Sequence, residues 1–386
     1  MFDLARPIFT ALFTTLCAFT VVPVSACAED SVPANTTLVY VGTYTGQHSD
    51  GIYVCQLNAE TGELSAPELA AKMDNPSWVT LHPTGKYLFA AGEFGPYPDG
   101  GVVSSFAVLP NGKLELTNSQ RSNGNGPCHL GIDPTGTTIM VSNYGSGNAS
   151  SLQVSEDGRL SPSVWRDQYP TINDQKPHAH FAGFDPSNEI ALVCDAGLDR
   201  IWVYRFDAGQ GTLAANDPPF VATTPGTHPR HLVFSDDGRF CYTIDEKSMS
   251  VTAFRFDSKA GVLEEMQSIS TLPPEFNGLP GSTAELVMHP SGRFLYGSNR
   301  GPDNLVCYAV DDRSGKLTLV GHTDTGGKTA RSFGIDPSGR WMIVGNQKTN
   351  TIVQFTINQA TGGLTATGTQ FDLGSPVCFQ FLETGR

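Results

Sequence analysis

Histidine, arginine and glutamate stand at matching places of a repeat in this chain, and together they can move a proton and hold an anion. One group lies just before a strand-like run: Cys128, His129, His178, His180, His228, Arg230, His231, Glu285 and Arg331. A second group lies just after the run that follows: Glu93, Asn143, Asp195, Glu246, Asn299, Arg300, Asn346 and Gln347. Imidazole changes charge near neutral pH, which suits proton transfer. Arginine offers a rigid fork of donors that matches a carboxylate or a phosphate. Charged groups entering strands at the same point of several repeats do not suit a core, because a buried charge is costly unless paired. They either pair with one another or face a wet mouth. The familiar short motifs are missing: no phosphate loop, no dinucleotide glycine fingerprint ahead of a helix, no serine elbow and no His-Glu-x-x-His. No Cys or His spacing suggests a metal, and no cofactor is expected.

The elements that must position these residues are strands. Residues 288–297 read Met-His-Pro-Ser-Gly-Arg-Phe-Leu-Tyr-Gly, a turn signal followed at once by a strand, and related stretches start at Leu81, Ile132, Phe184, Phe234 and Ile335. Proline presets the turn, and Gly or Asn takes the positive φ later in it. The turn prolines Pro83, Pro134, Pro186, Pro290 and Pro337, with Asp236 in the remaining copy, are spaced by 51, 52, 50, 54 and 47 residues. Each unit carries four strand-like runs. A repeat of about fifty residues with four strands has the size of a propeller blade. Such a sheet cannot bury both faces alone, so blades stack around an axis.

The count closes at seven. The first unit, from Thr37, lacks the strand that precedes the turn, and the chain ends on a lone strand of that type, residues 376–382. The last strand therefore completes the first blade and removes a free edge. The expected fold is all-β: a seven-bladed β-propeller of four-stranded antiparallel blades over residues 37–386, after a polar linker at 27–36. The innermost strands of a propeller line its channel, so residues at one end of those strands meet at one mouth.

At this point the chain resembles a known family. The repeat and the segments at 177–180, 229–231, 245–246, 298–300 and 330–333 are similar to the seven-bladed lactonases, which include propeller-type 6-phosphogluconolactonase and 3-carboxy-cis,cis-muconate cyclase. The similarity covers about residues 37–382. The resemblance implies an active site on His180, Arg230, Glu246 and Arg300, all present here. It implies lactone opening or closing without a metal: His180 or Glu246 as base, and Arg230 and Arg300 as an anion clamp. Arg331, His178, Gln347 and Asn299 are expected to contact substrate at the rim. Asp195 and Asp199 are expected to brace their blade, and His82 and His289 to serve the turn. Two other readings stay open: a muconate-type, lactone-forming cyclase, and a non-enzymatic binding propeller.

The chain carries a net charge of −14 over 386 residues, which argues against nucleic acid or an anionic membrane surface as partner. Its first 26 residues pair Arg6 with an apolar run and end in small residues, as an export signal does. The run is short for a membrane span. Export to the periplasm or outside the cell is expected. The stretch Val24 to Cys27 also resembles a lipoprotein box with Cys27 as a lipid anchor, the alternative being cleavage after Ala26 or Ala28. The eight cysteines fall roughly one per repeat and read as small buried hydrophobes rather than a disulfide framework. The oligomeric state is not legible.

Overall fold

The computed structural model describes residues 1–2, 32–33, 35–94, 100–279 and 281–384. Most of the stretch expected to be an export signal, and Cys27, lie outside the described residues. Seven four-stranded antiparallel sheets form the ring, and in six of them each strand pairs only with its neighbours in sequence. The second to seventh blades begin on the inner strands Pro76–Leu81, Pro127–Ile132, Ala179–Phe184, Pro229–Phe234, Ser282–Met288 and Ala330–Ile335. The first blade takes its inner strand, Pro376–Glu383, from the end of the chain and adds Thr36–Thr43, Gly51–Asn58 and Glu68–Lys72. Val39 pairs with Phe381 on one side and Cys55 on the other, and the closing strand keeps its register from Thr37 to Gly42.

The turn that repeats in the sequence works as its residues dictate. Gly85, Gly136, Gly238, Gly292 and Gly339 take positive φ in it, and Asn188 does so in the fourth blade at 61°. Three of its polar residues also reach across to a neighbouring blade. His82 Nε2 lies 3.1 Å from the Gly136 carbonyl, and His289 Nε2 lies 2.9 Å from that of Gly339. Asn188 donates to Asp133 at 3.0 Å. The two turn histidines are therefore scaffold.

Apolar clusters fill the spaces between blades. Between the fifth and sixth, Tyr242, Ile244 and Val251 meet Leu295, Val306 and Tyr308. Every one of the seven interfaces also carries one polar latch to the carbonyl of a turn glycine on the next blade. The donors are Tyr40 to Gly112, Ser105 to Gly158, Ser151 to Gly211, Asn216 to Gly261, Tyr242 to Gly315, Tyr296 to Gly362 and Gln354 to Gly62. Four residue types do one job, each bond being worth about 1 kcal/mol net. The last latch joins blades 292 positions apart in sequence and matches the other six in kind.

Among the described residues all six cysteines are buried and unpaired, as their sequence setting implied. Among the same residues no helix is long and apolar enough to cross a membrane.

Candidate active site

A β-bulge builds the site. Where each inner strand begins, its register against the next strand slips. Pro229 pairs with Asp245 and His231 with Ile244, so Arg230 is left over. His180 is left over in the same way between Ala179 and Phe181, and Arg331 between Ala330 and Ser332. The other four blades show the slip too, at Ser77, Cys128, Ala284 with Glu285, and Val377. An extra residue bends the strand and re-aims its side chain. In a regular strand Arg230 and His231 would face opposite sides. The bulge lets both serve the axis at two depths, with His180, Arg230 and Arg331 above and His129, His231, Glu285 and Ser332 below.

The ends of the second strands complete the upper level. Glu246 Oε1 accepts from Arg300 Nη2 at 2.7 Å, and its Oε2 lies 3.5 Å from Arg230 Nε. Arg300 also donates to the Thr283 carbonyl at 2.7 Å. Across the mouth, Arg331 donates to the Tyr44 hydroxyl at 3.2 Å, and Tyr44 donates to Glu93 at 2.6 Å. Arg230 is only 3 % exposed. Its Nη1 donates to the Ala284 carbonyl at 2.6 Å. Its Nε is buried with no hydrogen-bond partner among the described residues, the Glu246 carboxylate standing off at 3.5 Å.

The arginines dominate the electrostatics of the mouth. Burial, then Arg331 and Arg300, pushes the Arg230 pKa down to about 10, while Glu246 and Glu285 pull the other way. Burial alone would raise the Glu246 carboxyl, but Arg230 and Arg300 outweigh it and the net shift is downward. Burial lowers His180 well below the ordinary histidine value, and the charge of Arg230 adds to this. His180 is thus neutral, 5 % exposed, with Nδ1 buried and unpartnered. Tyr144 flanks it edge-on at 5.6 Å. A depression of about 500 Å3 opens beside Arg300 and is bordered by Lys328 and Lys348. Beneath the site, an aromatic-walled cavity of about 520 Å3 runs toward the proline turns, with His129, His231, Glu285 and Ser332 at its polar end. Among the described residues no three His, Cys, Asp or Glu side chains converge as a metal site.

The structure brings His180, Arg230, Glu246, Arg300 and Arg331 to one mouth. His178 stands at its edge, stacked on Tyr144 at 4.4 Å with Nδ1 3.0 Å from the Tyr144 carbonyl. Gln347 also sits at the rim, tied through its backbone N–H to the Thr329 carbonyl at 2.9 Å. Asn299 is placed otherwise. It is fully buried, and its amide donates to the Thr271 carbonyl at 2.8 Å and to Asn304 at 2.8 Å while it accepts from Thr271 Oγ1. Asn143 and Asn346 do likewise, donating to the Ser122 and Thr325 carbonyls of the preceding blade. The expected rim contact is corrected: Asn299 is a brace between blades, its hydrogen-bonding capacity spent within the fold. Asn299→Ala is expected to lower stability by about 1–3 kcal/mol, because it leaves buried partners unsatisfied, with turnover per folded molecule unchanged. Chemical denaturation beside an active-site titration checks both halves.

Asp195, by contrast, braces its blade as expected, accepting from His178 N, Gly197 N and Trp202 Nε1. Tyr44 and Tyr144 are site residues that the sequence reading missed. They occupy the position of Glu246 and Arg300, one residue past the brace, in the first and third blades. That equivalence of position in the repeat was the available signal, and a phenol carries no charge at neutral pH to mark it.

A seven-bladed propeller with a basic, histidine-bearing mouth where its inner strands begin defines a propeller of the lactonase class. The chain belongs to the seven-bladed β-propeller lactonase family, whose sequence model matches residues 38–381. A 6-phosphogluconolactonase of Bacillus subtilis is 33 % identical over 303 residues, covering 77 % of this chain and 84 % of that one. One from Formosa agariphila is 31 % identical over 313 residues, covering 77 % and 86 %. Among solved structures, the periplasmic gluconolactonase of Pseudomonas aeruginosa superposes with a TM-score of 0.85 at 32 % identity, covering 91 % of this chain and all of that one.

Proposed function

We propose that this protein hydrolyses a sugar lactone, or a related lactone bearing negative charge, at the mouth formed by His180, Arg230, Glu246, Arg300 and Arg331. The observation that carries the reading is Arg230, a buried cation crowded by two others, whose Nε has no hydrogen-bond partner among the described residues. A tetrahedral oxyanion or a substrate carboxylate supplies the missing charge. Water attacks the carbonyl carbon and His180 takes its proton. The ring oxygen then leaves as the alcohol, receiving that proton back, and an aldonic acid is released. Glu246 is the weaker candidate for base, since both its oxygens face arginines and its carboxyl is held down. Its role in this reading is to hold Arg230 and Arg300 at a fixed spacing.

In this reading residues 1–26 act as an export signal and the substrate is met outside the cytoplasm. That favours a gluconolactone-type compound over a phosphorylated intermediate of central metabolism. The gluconolactonase of Pseudomonas aeruginosa, called periplasmic, is a relative that fits the same setting.

The test is turnover of the mature chain on a panel holding gluconolactone, its 6-phosphate, glucuronolactone and a cis,cis-muconate. Ring opening of a sugar lactone is expected, with kcat/KM constant through neutrality. Because the neutral imidazole is the active form and its pKa is depressed, activity is lost only as pH falls well below the ordinary histidine range. His180→Gln should remove that limb and about 100- to 10,000-fold of the rate. Muconate cyclisation with no lactone hydrolysis, or an acid limb that survives in His180→Gln, sinks the proposal.

A further inference from the structure

Beneath Arg230 lies a buried pair that the reaction just described does not use. His231 Nδ1 is 2.8 Å from Glu285 Oε1, and a carboxylate oxygen there accepts, so Nδ1 carries the hydrogen. Glu285 is held in turn by the backbone N–H of Leu286 at 3.1 Å and by the Ser332 hydroxyl at 3.1 Å. The ring therefore has its plane and tautomer fixed from the sixth and seventh blades while it stands on the fifth. Trp78 meets it edge-on at 5.1 Å and His129 at 5.3 Å, so it has little freedom to tilt.

Arg230 Nη1 lies 3.1 Å from Nε2 and 3.5 Å from Nδ1 of this ring. A donor in line with either nitrogen's lone pair would be much farther from the other nitrogen. Two near-equal distances put the guanidinium nitrogen over the face of the imidazole. This is a cation resting on a π surface, not a hydrogen bond along the ring plane. With Nη1 settled on that face and donating to the Ala284 carbonyl, and Nε turned toward Glu246, the remaining nitrogen has one direction to point.

We infer that His231 and Glu285 form a positioning pair for Arg230: the imidazole face sets the depth of the guanidinium, and Glu285 fixes the face. Neither residue touches substrate. The inference rests on the reading of Arg230 as the donor to the substrate anion, and its test separates the two. Binding of gluconate, the ring-opened product, is measured by calorimetry beside kcat/KM, in the wild type and in an Arg230→Ala background. His231→Ala is expected to lower both by about 10- to 100-fold, as a misplaced donor does. His231→Phe keeps a flat face and recovers part of the loss. Glu285→Gln keeps an acceptor for Nδ1–H and stays near wild type, while Glu285→Leu does not. In the Arg230→Ala background His231→Ala should add nothing, since a residue acting through Arg230 has nothing left to act on. A full additional loss in that background overturns the pair, as does a His231→Phe variant no better than alanine or wild-type behaviour in His231→Ala. Undiminished gluconate binding in Arg230→Ala alone overturns the anion-site reading instead.

Discussion

Arg230→Ala is expected to lower kcat/KM on an anionic lactone by about 100- to 1,000-fold, the range seen when one preorganised donor is taken from a developing oxyanion. The argument is one of stored electrostatic stress. With its pKa pushed down to about 10, the charged form of Arg230 is disfavoured in this site by roughly 3 kcal/mol. An anion in the mouth relieves that stress, and it does so most where charge develops, in the transition state. Folding loses less than activity does. Arg300 still holds Glu246 at 2.7 Å, and the neighbouring arginines lose a repelling charge. Thermal unfolding within a few degrees of wild type beside the kinetic loss is the expected pair of results. A variant that melts early and regains full turnover per folded molecule would make Arg230 a structural cation.

The second large effect is on stability in acid. His129, His180 and His231 are all buried and held well below the ordinary histidine value, each by burial first and then by a neighbouring histidine or arginine. Folded, they stay neutral; unfolded, they take up protons as pH falls through the ordinary histidine range. The unfolded chain then binds up to three more protons, so unfolding free energy drops by as much as about 4 kcal/mol per pH unit below about 6. Asp245 works the other way. Burial raises it to about 6, so the native state holds a proton there that the unfolded state releases, and the raised Glu285 carboxyl adds to the offset. Denaturant midpoints collected from pH 8 to pH 5 measure the slope, and His129→Phe should reduce it by about one proton's worth. A flat profile would mean that at least two of the three carry their charge in the fold.

The architecture was readable because its cause is local. A Pro-x-Gly turn and the strand behind it fit within ten residues and recur, so spacing alone returned the blade size, and the mismatch between the two chain ends returned the count. The site was half readable. Position along the repeat pointed to His180, Arg230 and Arg331 before the turn and to Glu246 and Arg300 after it. It did not separate Asn299 from Arg300, because two adjacent residues differ only in which side of the strand they face, and that is fixed by register. Nor did sequence show that His231 and Glu285 meet, since 54 positions separate them and only the stacking of consecutive blades brings their strands side by side.

The way that ring closes has a mechanical side. Thr37 pairs with Glu383 and Leu38 with Leu382, so the two ends of the propeller chain leave from the same end of one antiparallel strand pair. Tension drawn between the termini meets those hydrogen bonds one after another, as in peeling tape, rather than all together in shear. Tension on one end alone, as from a surface tether, leaves the pair unloaded, because nothing pulls its two strands apart.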